Sequence, residues 1–176
     1  MIKKFLVALD GSDHASKALD LAVELAANCK AAITILNVAS DQPLTEGEVQ
    51  LARAEFRSEV VQALNVPQFI QDPTGTTTAD ALTQASQSVG LAVRQAIGQR
   101  LAEMGAVEAK SKGVSRVNTR VEVGDPAATI LAAASEEKPD FIVMGTRGLG
   151  SMKGLLMGSV SHKVVQLADC SVITVK

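Results

Sequence analysis

Residues 145–158 read GTRGLGSMKGLLMG and hold five of the chain's 13 glycines. Glycine is favoured where φ is positive or where something must come close to the main chain. A loop so built can turn several N–H groups onto one anion. Ser159 and Ser161 follow with hydroxyls, and Arg147 and Lys153 carry positive charge within the stretch. The alternative is a surface loop that tolerates glycine. A second group with chemical capacity is Asp10-Gly11-Ser12-Asp13. Asp10 suits a ribose hydroxyl, an adenine amine or a metal, or else it ends a strand and shapes a turn. Asp13 suits a helix cap better than a ligand.

Two familiar phosphate loops do not fit. Gly145 and Gly150 have the outer spacing of G-x-x-x-x-G-K-[ST], but Ser151 and Met152 stand where Lys and Ser/Thr are needed. Gly148-Leu149-Gly150 begins a dinucleotide fingerprint, but Lys153 occupies the third glycine position. What remains is a strand ending at Gly145, a glycine-rich loop, and a helix opening at Gly158-Ser159. Unpaired amides and partial positive charge at such a helix start favour an anion. Charge-assisted hydrogen bonds contribute about 1.5–3 kcal/mol each. Three or four of them hold a polyphosphate at micromolar strength.

Other candidates carry less. His14 and His162 are the only histidines, and His162 reads as a solvated residue in the first turn of the last helix. Met157-Gly-Ser159-Val-Ser161 is not the G-x-S-x-G elbow of a serine nucleophile, so Ser159 reads as a cap and phosphate contact. Cys29 and Cys170 lack metal or redox spacing and read as reduced core thiols.

Composition bounds the function. The 176 residues are 47% hydrophobic and 20% charged, which suits one globular domain spanning 1–176. Seventeen basic against 19 acidic residues leave a formal charge of −2, with no basic block for nucleic acid. Trp and Tyr are absent and Phe numbers four, so stacking platforms for bases are scarce. The apolar run Phe5–Leu9 is too short for a secretory signal, and no run is long enough to span a bilayer. A cytoplasmic protein is expected.

The elements that must position these groups follow from periodicity. Ile2–Leu9 and Ala31–Val38 read as buried strands, and apolar residues at 15, 18, 19, 22, 23 and 26 form one face of a helix between them. Residues 45–64 have helical composition, 65–80 read as a loop, and 79–112 read as one helix or two, interrupted by Gly90, Gly98 and Gly105. Val117–Val123 alternates as a strand. Gly124-Asp125-Pro126 then supplies a cap and a proline for a helix with apolar positions 127, 130, 131 and 134. Pro139 closes it by moving Lys138 out of the helical region. Phe141–Met144 is a strand, Ser159 caps a last helix with apolar positions 160, 164, 167 and 168, and Val172–Val175 is a final strand. Strands alternating with amphipathic helices imply a parallel sheet covered on both faces, with ligands beyond the strands' carboxyl ends.

Gly145-x2-Gly148-x9-Gly158-Ser159 resembles the G-x2-G-x9-G-[ST] motif of the ATP-binding branch of the universal stress protein family. The resemblance extends to KKFLVALDGSDHASKALDLAVELA, ITILNV, VEVGDPAATIL and ADCSVITVK, covering about 1–40 and 113–176. It implies an α/β, three-layer doubly wound sandwich with a five-stranded parallel sheet ordered 3-2-1-4-5. A variable, mostly helical insertion at about 40–112 lies between strands 2 and 3. It also implies ATP; Asp10 and Asp13 are carboxylates that could hold Mg²⁺ should the protein be an enzyme. Asp10 with Ala8 and Leu9 would face adenine and ribose, Val38 would flank the base, and Gly124 would lie near the ribose. Met144 and Gly145 would line sugar and phosphates, Arg147 and Gly148 fall in the loop, and Gly158, Ser159, Val160 and Ser161 would bind phosphates. Homodimerisation through Val172–Val175 is implied as well. The function expected is a nucleotide-dependent stress-response module with an unidentified protein partner. A slow ATP hydrolase or phosphoryl or adenylyl transferase, and a nucleotide-free scaffold, are the alternatives.

Overall fold

The computed structural model describes residues 1–40, 79–150 and 157–176, with side chains from residue 90 onward in the second stretch. Nine elements lie within these residues. They are β1 (Lys4–Ala8), α1 (Asp13–Cys29), β2 (Ala32–Ala39), α2 (Ala79–Ser111), β3 (Val117–Val123), α3 (Pro126–Glu137), β4 (Phe141–Gly145), α4 (Ser159–Leu167) and β5 (Ser171–Val175). The expected helix at 45–64 and most of the expected loop at 65–80 lie outside the described residues. So do Ser151, Met152 and Lys153.

The strands form one parallel sheet in the order β3-β2-β1-β4-β5. Central β1 pairs on one side with β2, Ala8 opposite Leu36, and on the other with β4, Ala8 opposite Met144. Its continuous apolar run is explained by burial on both faces. Phe5 and Val7 join a cluster with α1 and α2, whereas Leu6 joins a second cluster with α3 and α4. Phe5 and Phe141, neighbours across the β1–β4 register, stack with ring centroids 5.6 Å apart.

The α1 face buries Ala15, Ala18, Leu19, Ala22, Val23 and Ala26, the positions its periodicity selects. Ser12, not Asp13, is its cap: the Ser12 hydroxyl accepts from Ala15 N at 3.2 Å. Asp13 is the first helical residue, where its charge still complements the helix dipole. The stretch 79–111 is a single 33-residue helix despite its glycines. Asp125 caps α3 by accepting from Ala128 N at 2.9 Å, and Pro126 stands in its first turn.

Lys138 leaves the helical region before Pro139, as expected, by taking a left-handed conformation, φ 48°, and its N–H donates to Ala134 O. Two details depart from expectation. The α4 cap is Gly158, with no side-chain cap bond, and Ser159 is the first helical residue. Leu167 is 55% exposed, so the buried stripe of α4 is narrower than its apolar pattern.

Candidate functional site

The carboxyl ends of β1, β2, β3 and β4 lie along one edge of the sheet, and the chain leaves β1 and β4 toward opposite faces. This is the switch point at which doubly wound sheets bind ligands. Asp10 leaves β1 here. One carboxylate oxygen accepts from Ser12 N at 3.0 Å, fixing the turn into α1. The other accepts from Leu149 N at 3.3 Å, reaching across to the loop after β4. Gly148 lies so close that a Cβ there would collide with that same carboxylate oxygen. Asp10 therefore shapes the turn into α1 and holds the loop after β4 in one arrangement.

The glycine loop is tied down at three further points. Ser12 Oγ donates to Arg147 O at 3.3 Å. Thr146 N donates to Val175 O at 2.7 Å, and Gly158 N donates to Thr146 O at 2.8 Å, which brings the start of α4 back beneath the end of β4. His14 Nδ1 and Thr146 Oγ1 lie 2.9 Å apart, joining the first turn of α1 to the same residue. Thr146 is thus the hub of the loop. Composition gave no sign of this, although the residue sits inside the glycine stretch.

Gly158, Ser159, Val160 and Ser161 form the first turn of α4. Amides in the first turn of a helix have no partner within it. Ser159 is exposed. Ser161 is buried, 2% exposed, and its Oγ donates to Thr146 O at 2.7 Å and to Gly158 O at 3.0 Å. Its side chain holds the loop. His162 is exposed on α4, as its position suggested.

Arg147 carries an unsatisfied group. Its Nε is buried and has no hydrogen-bond partner among the described residues. A buried guanidinium N–H without a partner is costly unless an acceptor arrives.

The remaining expected residues gather along the same edge. Leu9 N donates to Leu36 O at 2.9 Å, and Ala8 is half-buried beside Met144. Val38 is half-buried on β2, opposite Glu122, and Gly124 N donates to Ala39 O at 3.1 Å. Gly145, the last residue of β4, is buried. Met144 is 5% exposed and packs within the α3–α4 cluster, so its side chain belongs to the core and its main chain to the edge. Sequence reasoning missed Asn37, which is buried and donates through Nδ2 to Leu9 O at 2.7 Å. It also missed Arg94 of α2, 7% exposed, whose Nη1 donates to Ser40 O at 2.8 Å. Both hold the end of β2 through tertiary contacts that no local pattern encodes.

Other charged groups at this end are structural. Main-chain hydrogen bonding from Ala128 holds the Asp125 carboxyl below its ordinary range, helped by Lys163 at 3.4 Å. Among the described residues no three His, Cys, Asp or Glu side chains group to hold a metal, and no helix is long and apolar enough to cross a membrane. Cys29 and Cys170 are free and half-buried, and burial pushes the Cys170 thiol up.

The family model described as the universal stress protein family matches residues 1–176. Universal stress protein YxiE of Bacillus subtilis (strain 168) is 34% identical over 176 residues, covering all of both chains. A universal stress protein of Thermus aquaticus, described as lying in the QAH/OAS sulfhydrylase 3′ region, is 35% identical over 180 residues, again covering all of both. Among solved structures, universal stress protein UspA from Lactobacillus plantarum superposes with TM-score 0.73 at 23% identity, covering 99% of this chain and 98% of that one. A universal stress protein in complex with cAMP gives TM-score 0.61 at 24% identity, covering 99% and 97%. An Arabidopsis thaliana family protein with AMP bound gives 0.55 at 19%, covering 99% and 91%.

Proposed function

The chain belongs to the universal stress protein family, and from that premise we propose that it is an ATP-binding module whose site is the edge between Asp10 and the glycine loop. The observation that carries the reading is the buried, unpartnered Arg147 Nε beside a loop that Asp10, Ser12 and Thr146 hold in place. The ligands of two structural neighbours, cAMP and AMP, support an adenine nucleotide as the ligand class. The run from Gly145 through Gly148 to Gly158-Ser159 favours a triphosphate, because it offers main-chain donors over more length than one phosphate needs.

In this reading Ala8, Leu9 and Val38 meet the base, and Asp10 and Gly124 meet the ribose. Met144 and Gly145 carry the sugar toward the loop. Arg147, Gly148 and the first-turn amides of Gly158, Ser159, Val160 and Ser161 neutralise the phosphates. A bound triphosphate would supply a compact negative charge that the loop is otherwise without, and Asp10 is the carboxylate a nucleotide-borne Mg²⁺ would meet. Binding that rests on main-chain donors holds phosphates without requiring turnover, so the module reports nucleotide state to a protein partner, in the cytoplasm. Half-buried β5 lies at the sheet edge with residues packed on both core clusters, which suits pairing with a second copy.

The test is direct. Protein purified without added nucleotide is denatured and the released small molecules are identified by chromatography, with calorimetric titration of ATP, AMP and cAMP on stripped protein. ATP recovered near one per chain, or preferred in titration, is the expected result. AMP or cAMP preferred over ATP would confine the site to a monophosphate, and no binding of any of the three would overturn the reading.

A further inference from the structure

The opposite end of the sheet, where the strands begin, carries a depression of about 620 Å³, within the range of small-ligand sites. Lys3, Lys4, Lys110, Ser115, Arg116 and Asn118 line it, and its apolar lining is limited to Ala32 and Val117. We propose that this pocket is a second anion site, independent of the nucleotide edge, and that it takes a short free polyphosphate chain.

Three strands and a helix end bring these cations together. Ala32 of β2 is in register with Lys4 of β1 and, one step before the Ile33–Val117 pair, with Arg116; Ala32 N donates to Lys3 O at 2.8 Å and Ile33 N to Arg116 O at 2.9 Å. The main chain at Lys4 and at Arg116 therefore stands two strand spacings apart, about 10 Å, with Lys3 one residue earlier. Lys3 has the parity of Phe5 and Val7, which places it on the face covered by α2, where Lys110 ends the helix. Lys4 turns to the other face and pairs with Glu137 at 2.8 Å.

The charge here is only partly matched by carboxylates. Lys112, two residues from Lys110, meets both Asp20 at 2.8 Å and Glu108 at 2.6 Å, and Arg120 meets Glu122, Glu136 and Glu137. Glu137 also pairs with Lys4, and Asp140, which accepts from the Lys3 and Lys4 amides at 2.6 and 2.9 Å, sets its charge against Lys3. Among the described residues Lys110 forms no ion pair, and Arg116 donates only to Lys30 O, at 3.4 Å. Four cations around one depression with two carboxylates beside them leave an excess of positive charge, and a multivalent anion relieves it.

The lining selects the ligand. Cations spread over two strand spacings suit an anion whose charges are spread over a comparable length, as in a chain of phosphates. A nucleotide or nucleic acid would find no aromatic side chain for its bases, only Ala32 and Val117. Ser115 and Asn118 offer neutral hydrogen bonds between the charges.

The test follows backbone amides of the ¹⁵N-labelled full chain during titration with sodium tripolyphosphate at constant ionic strength, with ATP in a parallel titration. Saturable shifts at Lys4, Ala32, Val117 and Asn118 are expected. Substituting both Lys110→Glu and Arg116→Glu, at exposed positions, should weaken tripolyphosphate at least about tenfold. The amide spectrum of that protein should remain dispersed, and the glycine-loop response to ATP should be unchanged. The milder pair Lys3→Ala and Lys110→Ala should weaken it in the same direction. Tripolyphosphate shifts confined to residues 145–148 and 159–161, or charge-reversed protein that binds as the parent does, would overturn the site. ATP moving the lower-end amides at lower concentration than tripolyphosphate would overturn the choice of a free chain.

Discussion

At the residue scale the site turns on one carboxylate and one missing side chain. Asp10 accepts from Ser12 N and from Leu149 N, so a single group sets both the entry to α1 and the height of the glycine loop. The contact requires Gly148, because any Cβ there would run into the Asp10 oxygen. In a Gly148→Ala protein the loop has to lift away from Asp10, losing the Leu149 bond and displacing the adjoining Arg147. ATP affinity should then fall about tenfold, which is about 1.4 kcal/mol and near the worth of one hydrogen bond. Calorimetric titration checks this. The melting temperature should move little, because Gly148 touches neither core cluster. Equal affinity in both proteins would mean that the Asp10–loop contact does not set the binding geometry.

At the element scale two features show why local pattern and tertiary contact differ in what they reveal. The Gly98 position in α2 reads as a weak point, since alanine in a helix interior is about 1 kcal/mol better than glycine. Its reason lies across the interface: a Cβ at Gly98 would collide with the amide of Asn37, which is itself held to Leu9 O. Overpacking costs about 1–3 kcal/mol and outweighs the propensity gain. Gly98→Ala should therefore lower stability, as urea unfolding would register, where propensity alone predicts an increase. The face of α1, strand 117–123 and the Asp125-Pro126 helix start were legible because each depends on residues within one turn or one strand. The continuity of α2, the roles of Asn37 and Arg94, and the Thr146 hub were not, because each is defined by a partner far away in sequence. The Ser159 cap failed for a subtler reason: Gly158 and Ser159 are adjacent candidates, and the hydroxyl that secures the turn belongs to Ser161. A second element-scale prediction concerns the joint between α3 and the sheet. Burial would raise the Glu137 carboxyl, but Lys4, Thr34 and Arg120 outweigh it and hold the group below its ordinary value of 4.5. The unfolded chain then takes up the proton first as the medium becomes acidic. Glu137 thus contributes stability above its unfolded value, and that contribution is lost as pH falls through the lower, folded one. Urea midpoints measured between about pH 6 and about pH 3 should fall less steeply in Glu137→Gln than in the parent.

At the scale of the whole molecule, the sheet joins two ends with opposite tasks. The carboxyl edge gathers β1, β2, β3 and β4 around Asp10 and the glycine loop, and the amino end gathers the Lys3, Lys110 and Arg116 charges. Central β1 runs between them, buried on both faces and paired on both sides, so ligand binding at its exit is coupled to the stability of the sheet. A ligand that binds only the folded chain stabilises it by RT ln(1 + [L]/Kd), about 2.7 kcal/mol at a hundredfold excess over Kd. For a chain of this size each kcal/mol raises the melting temperature by about 2–4 °C, so ATP at that excess should raise it by about 5–11 °C. The scan also separates the two ends. The Lys110→Glu and Arg116→Glu protein should keep the full ATP shift, whereas Gly148→Ala, with Kd about tenfold higher, should lose about 1.4 kcal/mol of it at the same ATP concentration. A shift that vanished in the lower-end variant and survived in Gly148→Ala would place the triphosphate at the wrong end of the sheet and reverse both assignments.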